Sequence, residues 1–236
     1  MKTSRVPRVV RVGLLAAVAA QLLWRLTQAP AAAHASPLPP PPPLSVLRLM
    51  AIGEPIALSK LLMLSVQAHD DQAGVSIPLR ALDYRVLRAW LERILALDPR
   101  AQYPLLAASQ VYGAVDDPAR VRVMLDFVYD SFGADPERRW PALAHAALVA
   151  HHRLHDHALA RQYASAIRTR ALGPAVPAWA RTLEAFMLED MNELDSARLL
   201  IGGLLHDGVV SDPRELAWLS ARLEAIGARQ QAHEKR

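Results

Sequence analysis

Cysteine is missing from all 236 residues, which excludes disulfides, zinc–thiolate sites, thiol nucleophiles and acylation of an N-terminal lipoprotein cysteine. Aromatic residues make up only 6% of the chain, runs of β-branched residues are scarce, and no segment sustains the strict alternation of half-buried strands. A sheet protein is therefore not expected. The ten glycines are mostly single, and no phosphate-cradling loop, dinucleotide fingerprint, Gly-x-Ser-x-Gly elbow or His-Glu-x-x-His run is present. With no such constellation, the residues assign no catalytic, cofactor or metal position and point away from an enzyme.

Acids are also missing from residues 1–43, which carry Lys2, Arg5, Arg8, Arg11 and Arg25. Those five cations account for the whole positive net charge of +4, because 22 basic residues against 23 acidic ones remain beyond them. A near-neutral domain supplies no clustered cationic face for phosphates, so nucleic acid is not expected as a partner.

What is present is Ala, Leu and Arg in abundance and 52% apolar residues, enough for a substantial core and favourable to helix. The first eleven residues form a basic tail ahead of an apolar segment, residues 12–26, whose run from Val12 to Trp24 is broken only by Gln21. Charge followed by apolar run is the order of a signal anchor or signal peptide. Ala33-His34-Ala35 has small-x-small cleavage spacing, but it lies eleven residues past Trp24, which favours an uncleaved anchor over cleaved export. The positive-inside rule then leaves the N-terminus cytoplasmic and the rest of the chain outside. Residues 27–43 form an Ala/Pro-rich linker; Pro37 to Pro43, interrupted only by Leu38, predict a stiff polyproline spacer of roughly 20 Å lifting the domain off the membrane.

From residue 44 to 228 the chain divides into helical stretches at Ser45–Ile52, Pro55–His69, Leu79–Leu97, Gln102–Ala114, Pro118–Phe132, Pro141–Leu154, Ala158–Ala171, Pro177–Met191, Leu194–His206 and Pro213–Ile226. Residues 229–236 predict a disordered tail. An acid before a proline recurs at Asp98-Pro99, Asp117-Pro118, Asp135-Pro136 and Asp212-Pro213, pairing a side chain able to cap amides with a residue that needs no donor in the first turn. Leu87, Trp90, Leu91, Ile94 and Leu95 fall on one helix face, as do Val121, Leu125 and Val128, and these stripes, tryptophans included, predict core.

Trp140, Trp179 and Trp218 are spaced 39 residues apart, and the loops His155-Asp156 and Asn192-Glu193 are 37 apart, the length of a helix hairpin. Trp140, Leu143 and Ala144 match a first-helix pattern, Tyr103, Leu106 and Ala107 match it more loosely, and Leu87, Leu91, Ile94 and Pro99 match a second-helix pattern with its closing proline. On these residues the region from about 80 to 206 resembles a degenerate tetratricopeptide repeat. The resemblance implies an all-α array of antiparallel helix hairpins, either a TPR-like α-solenoid or a compact helical repeat domain, behind the hydrophobic anchor helix. It also implies a groove lined by first-helix positions such as Gln110, Arg153 and Arg181.

The expected function is accordingly a non-catalytic protein-protein interaction scaffold, tethered as a single-pass protein in the bacterial inner membrane. Its domain is expected in the periplasm, with a protein or peptide partner in an envelope assembly or secretion complex. Two local clusters qualify this. Glu189, Asp190, Glu193 and Asp195 predict a solvated acidic turn. Five of nine histidines lie between 145 and 157, and His151 and His155, or His152 and His155, have the helical spacing of metal ligands. A periplasmic metal-binding protein using His151, His152 and His155 is the alternative.

Overall fold

The computed structural model describes residues 7–27, 35–72, 74–206, 208 and 212–234, with side chains omitted at residues 8 and 230–234. Its architecture is all-α. Helix α1 spans Arg8–Thr27; from Val9 to Thr27 it is long and apolar enough to cross a membrane, and none of that stretch is buried by the rest of the chain. Part of the expected basic tail and most of the Ala33-His34-Ala35 site lie outside the described residues.

The proline-rich stretch is not a free spacer. Ser36 donates from its amide and hydroxyl to Gln72 Oε1 at 2.9 and 3.0 Å, while Gln72 Nε2 donates to the Ser36 carbonyl at 2.9 Å. Further along, Leu38 packs on the core and the Trp90 indole donates to the Pro39 carbonyl at 2.7 Å. Proline carbonyls have no partners of their own in an extended chain, and fixed φ angles lower the entropy lost on docking. The stretch is therefore a strap laid along the domain. It leads into α2 (Leu44–Met50), which turns by 111° at Ile52 and Gly53 into α3 (Pro55–Gln67).

After α3 comes a 3-10 turn, Ala68–Asp70, and a two-residue antiparallel pairing of Asp71–Gln72 with Val75–Ser76, a small departure from the strand-free expectation. The expected helix over 79–97 is divided. A 3-10 turn at Leu79–Ala81 precedes α4 (Tyr84–Leu97), because the Asp83 carboxylate accepts from the amides of Arg85 and Val86 and fixes the start there. The segment expected as a helix over 102–114 is likewise three pieces: α5 (Tyr103–Leu106), a π-helical turn at Ala107–Val111 and a 3-10 turn at Tyr112–Ala114.

The remaining helices are α6 (Pro118–Phe132), α7 (Pro136–His152), α8 (His157–Arg170), α9 (Ala178–Asp190), α10 (Leu194–His206) and α11 (Pro213–Glu234). Asp117 and Asp212 cap α6 and α11 as their spacing predicts, each accepting from two amides of the first turn. Two other acid-proline pairs act differently. Asp98 ends α4 and accepts from the Arg100 amide in a turn, and Asp135 precedes α7 but pairs with Arg138 instead of capping. Helix α7 starts five residues before Pro141, which sits inside it and forfeits only the bond to the carbonyl four residues back. Helix α11 continues to Glu234, through most of the segment expected as a disordered tail.

Each of these helices packs mainly on its neighbours in the chain. One core joins α3 to α9 around Leu87, Leu91, Phe127, Phe132, Leu143 and Ile167, and a smaller one around Ala197, Ile201, Leu219 and Ile226 joins α9, α10 and α11. Between α7 and α8 the contact is made largely of alanines, including Ala146, Ala147, Ala150, Ala160 and Ala164, which let the two backbones approach closely. Arg139 is buried without a carboxylate; its guanidinium donates to the carbonyls of Ser131 and Pro99, fastening the start of α7 to the ends of α6 and α4.

Candidate functional site

The three tryptophans of the 39-residue spacing sit on α7, α9 and α11. Trp140 and Trp179 meet edge to face at 5.3 Å, and Trp218 meets Phe186 of α9 in the same manner at 5.3 Å. Trp179 and Trp218 border a cleft of about 340 Å³ whose floor is apolar, formed by Ala178, Phe186 and Leu219, with Arg214 and Glu215 at its edge. Of the three, Trp140 packs on the larger core. Trp179 is 49% exposed and Trp218 50%, since among the described residues nothing covers their outer edges. Two large rings half in water beside an apolar cleft form a surface suited to an inserted side chain, and their rigidity keeps the entropy lost on contact small.

The groove positions implied by resemblance divide. Gln110 is exposed and shares a second, shallower cleft with Arg153, His145 and His152. Arg153 is committed elsewhere, donating to the carbonyls of Gly113, Ala114 and Val115 at 2.9 to 3.2 Å and so holding the loop before α6. Arg181 does not reach that cleft; it donates to the Val176 carbonyl at 3.0 Å.

The histidines also assemble differently from their spacing. His155 takes a left-handed turn with φ of 52°, which ends α7 and carries it off the helical face it was expected to share with His151. His151 instead meets His157 of α8, Nδ1 to Nδ1 at 3.1 Å, with His152 against its ring and Asp190 Oδ2 3.5 Å from its Nε2. A bond between two Nδ1 atoms needs one protonated and one bare, so it excludes two imidazolium rings. Burial, the first cause, and the neighbouring His152 and His157 lower the His151 pKa, with Asp190 opposing them. Among the described residues, no group of three or more His, Asp or Glu side chains is placed to hold a metal ion.

The acidic turn divides: Asp190 and Asp195 are exposed as a solvated loop requires, whereas Glu189 is buried. The Glu189 side chain is only 3% exposed and is held by Arg222, at 2.8 Å, and Arg229 of α11. Glu184, one and a half turns earlier on α9, faces the opposite neighbour and pairs with Arg168 at 2.8 Å and Arg161 at 3.4 Å from α8. Glu193 pairs with Arg161 at 3.5 Å. Two carboxylates on one helix thus clasp the helices on either side. A sequence signal existed in Arg222 and Arg229, seven apart on one face of α11, but their partners stood in a turn rich enough in acids to look exposed.

No family model, curated protein or solved structure matches this chain.

Proposed function

We propose that the protein is a membrane-tethered, non-catalytic interaction scaffold whose docking face is the tryptophan row of α7, α9 and α11. In this reading α1 is an uncleaved anchor with its N-terminus in the cytoplasm, and the helical domain stands in the periplasm as a tetratricopeptide-like hairpin array. The partner is a protein or peptide of the cell envelope that inserts one apolar side chain between Trp179 and Trp218. Its flanking charges meet Arg214 and Glu215.

The observation that carries this reading is the cleft itself: two half-exposed tryptophans, 39 residues apart in the sequence, flank an apolar floor between α9 and α11. The length and hydropathy of α1 support the tether. A photoreactive amino acid placed at Phe186 in the full chain should crosslink a discrete envelope protein in cells. That adduct should fade when Trp179→Ala and Trp218→Ala are introduced together, since aromatic anchors each contribute about 2 kcal/mol or more to such contacts. An adduct of unchanged intensity in the double variant would remove the cleft as the docking face.

A further inference from the structure

Among the described residues, fourteen large apolar side chains outside α1 are exposed, and seven of them lie within the nineteen residues from Val46 to Leu64. They are Val46, Leu49, Met50 and Ile52 at the α2–α3 corner, and Ile56, Leu61 and Leu64 along the outer face of α3. Only Leu47 of α2 is buried; Leu49 is 81% exposed and Ile52, at the tip, 90%. Ile52 also takes a φ of 49°, a conformation that suits Gly or Asn and strains a β-branched residue. Water gives no reason for an isoleucine there.

Charge and tether say what covers this corner. Arg48 and Lys60 are the cations of α2 and α3, neither helix contains an acid, and Glu54 between them is the sole acid from residue 35 to 69. Such a surface suits anionic phospholipid headgroups with acyl chains beneath them. The strap then fixes the distance. Ser36 is clasped to Gln72, so the nine steps of chain from Thr27 to Ser36 span roughly 30 Å at most. Helix α3 is about 20 Å long, so its whole outer face lies within reach of the surface from which α1 emerges.

We infer that the α2–α3 corner inserts into the lipid interface beside α1, so that the domain lies on the membrane instead of standing off it. The inference rests on the tether proposed above. Arg48 and Lys60 meet the headgroups while Leu49, Met50 and Ile52 enter the acyl boundary.

Because the chain has no cysteine, single labels are unambiguous. An environment-sensitive fluorophore is placed by Leu15→Cys, Ile52→Cys or Leu199→Cys in the full chain, reconstituted in nanodiscs of phosphatidylcholine and phosphatidylglycerol. The Ile52→Cys label should be quenched by spin-labelled lipid roughly twofold or more beyond the exposed Leu199→Cys control, and shielded from aqueous iodide. Leu49→Glu added to the Ile52→Cys chain should return the label to water, with unchanged circular dichroism because Leu49 is exposed. Iodide quenching equal to the control overturns the inference, as does shielding from iodide and lipid alike, which would mean a protein covers the corner. The Leu15→Cys label reports the tether separately, so an anchored α1 with a water-exposed Ile52 label defeats this inference alone.

Discussion

The two cores of the domain are held in different ways. From α3 to α9 the interior is mainly apolar, with Phe127, Phe132, Leu125 and Ile167 essentially inaccessible, and Arg139 and Glu184 are the charged side chains buried within it. The terminal core around Ile201 and Leu219 is smaller, and α11 is fixed as much by Arg222 and Arg229 on Glu189 as by its apolar face. Apolar packing has no charges for salt to screen, whereas a buried carboxylate loses stability when either of its partners is removed. The smaller core, which carries the tryptophan cleft, therefore leans more heavily on a charge clasp than the larger one does.

The largest effect is expected in the apolar core. Phe127→Ala should cost about 3–5 kcal/mol and lower the midpoint of the whole unfolding transition, because the cavity lies where α6 meets its neighbours. A loss below about 1 kcal/mol in denaturant titration would erase the contrast between the two cores.

Glu189→Gln comes next. Removing a carboxylate that is nearly inaccessible would cost about 3–5 kcal/mol were both partners buried, but Arg222 and Arg229 are 41% and 48% exposed, so about 2–3 kcal/mol is expected. The loss should be local. Amide exchange should accelerate in α11 while α6 keeps its protection, and equal acceleration in both would show the two cores to be one cooperative unit.

The smallest effect is that of pH on the hinge between α7 and α8. Burial holds the His151 and His145 pKa values below the usual 6.5, so the unfolded chain binds more protons once the pH falls beneath that value. Their contribution is present above 6.5 and is lost as the pH drops toward the lowered values. Asp156, whose pKa is lowered chiefly by the Leu159 amide, acts only further down, below its usual 3.8. The melting temperature should therefore fall between about pH 8 and about pH 5.5, and the fall should shrink in His151→Asn. A slope unchanged by that substitution would assign the effect to His145 or elsewhere.

Local signals were the legible part of this fold. Helices α6 and α10 end where apolar spacing and turn residues place them, and Asp117 and Asp212 cap as read, because an N-terminal cap is decided by residues three apart. Asp98 and Asp135 carry the same two-residue mark without the same role, since the outcome depends on which helix happens to precede them. Trp140 and Trp179, 39 residues apart, meet edge to face, yet the exposure of Trp179 and Trp218 left no mark in the sequence. A long-range pairing such as Trp90 with Pro39 leaves no periodic trace at all.

The docked strap has a mechanical consequence. Tension drawn through α1 arrives first at the Ser36 clasp and the Trp90 indole, a handful of bonds that can peel one after another, and only later at α2, the first helix beyond the strap. The domain thus has a yielding latch at its entry, which gives way before any helix beyond the strap comes under load.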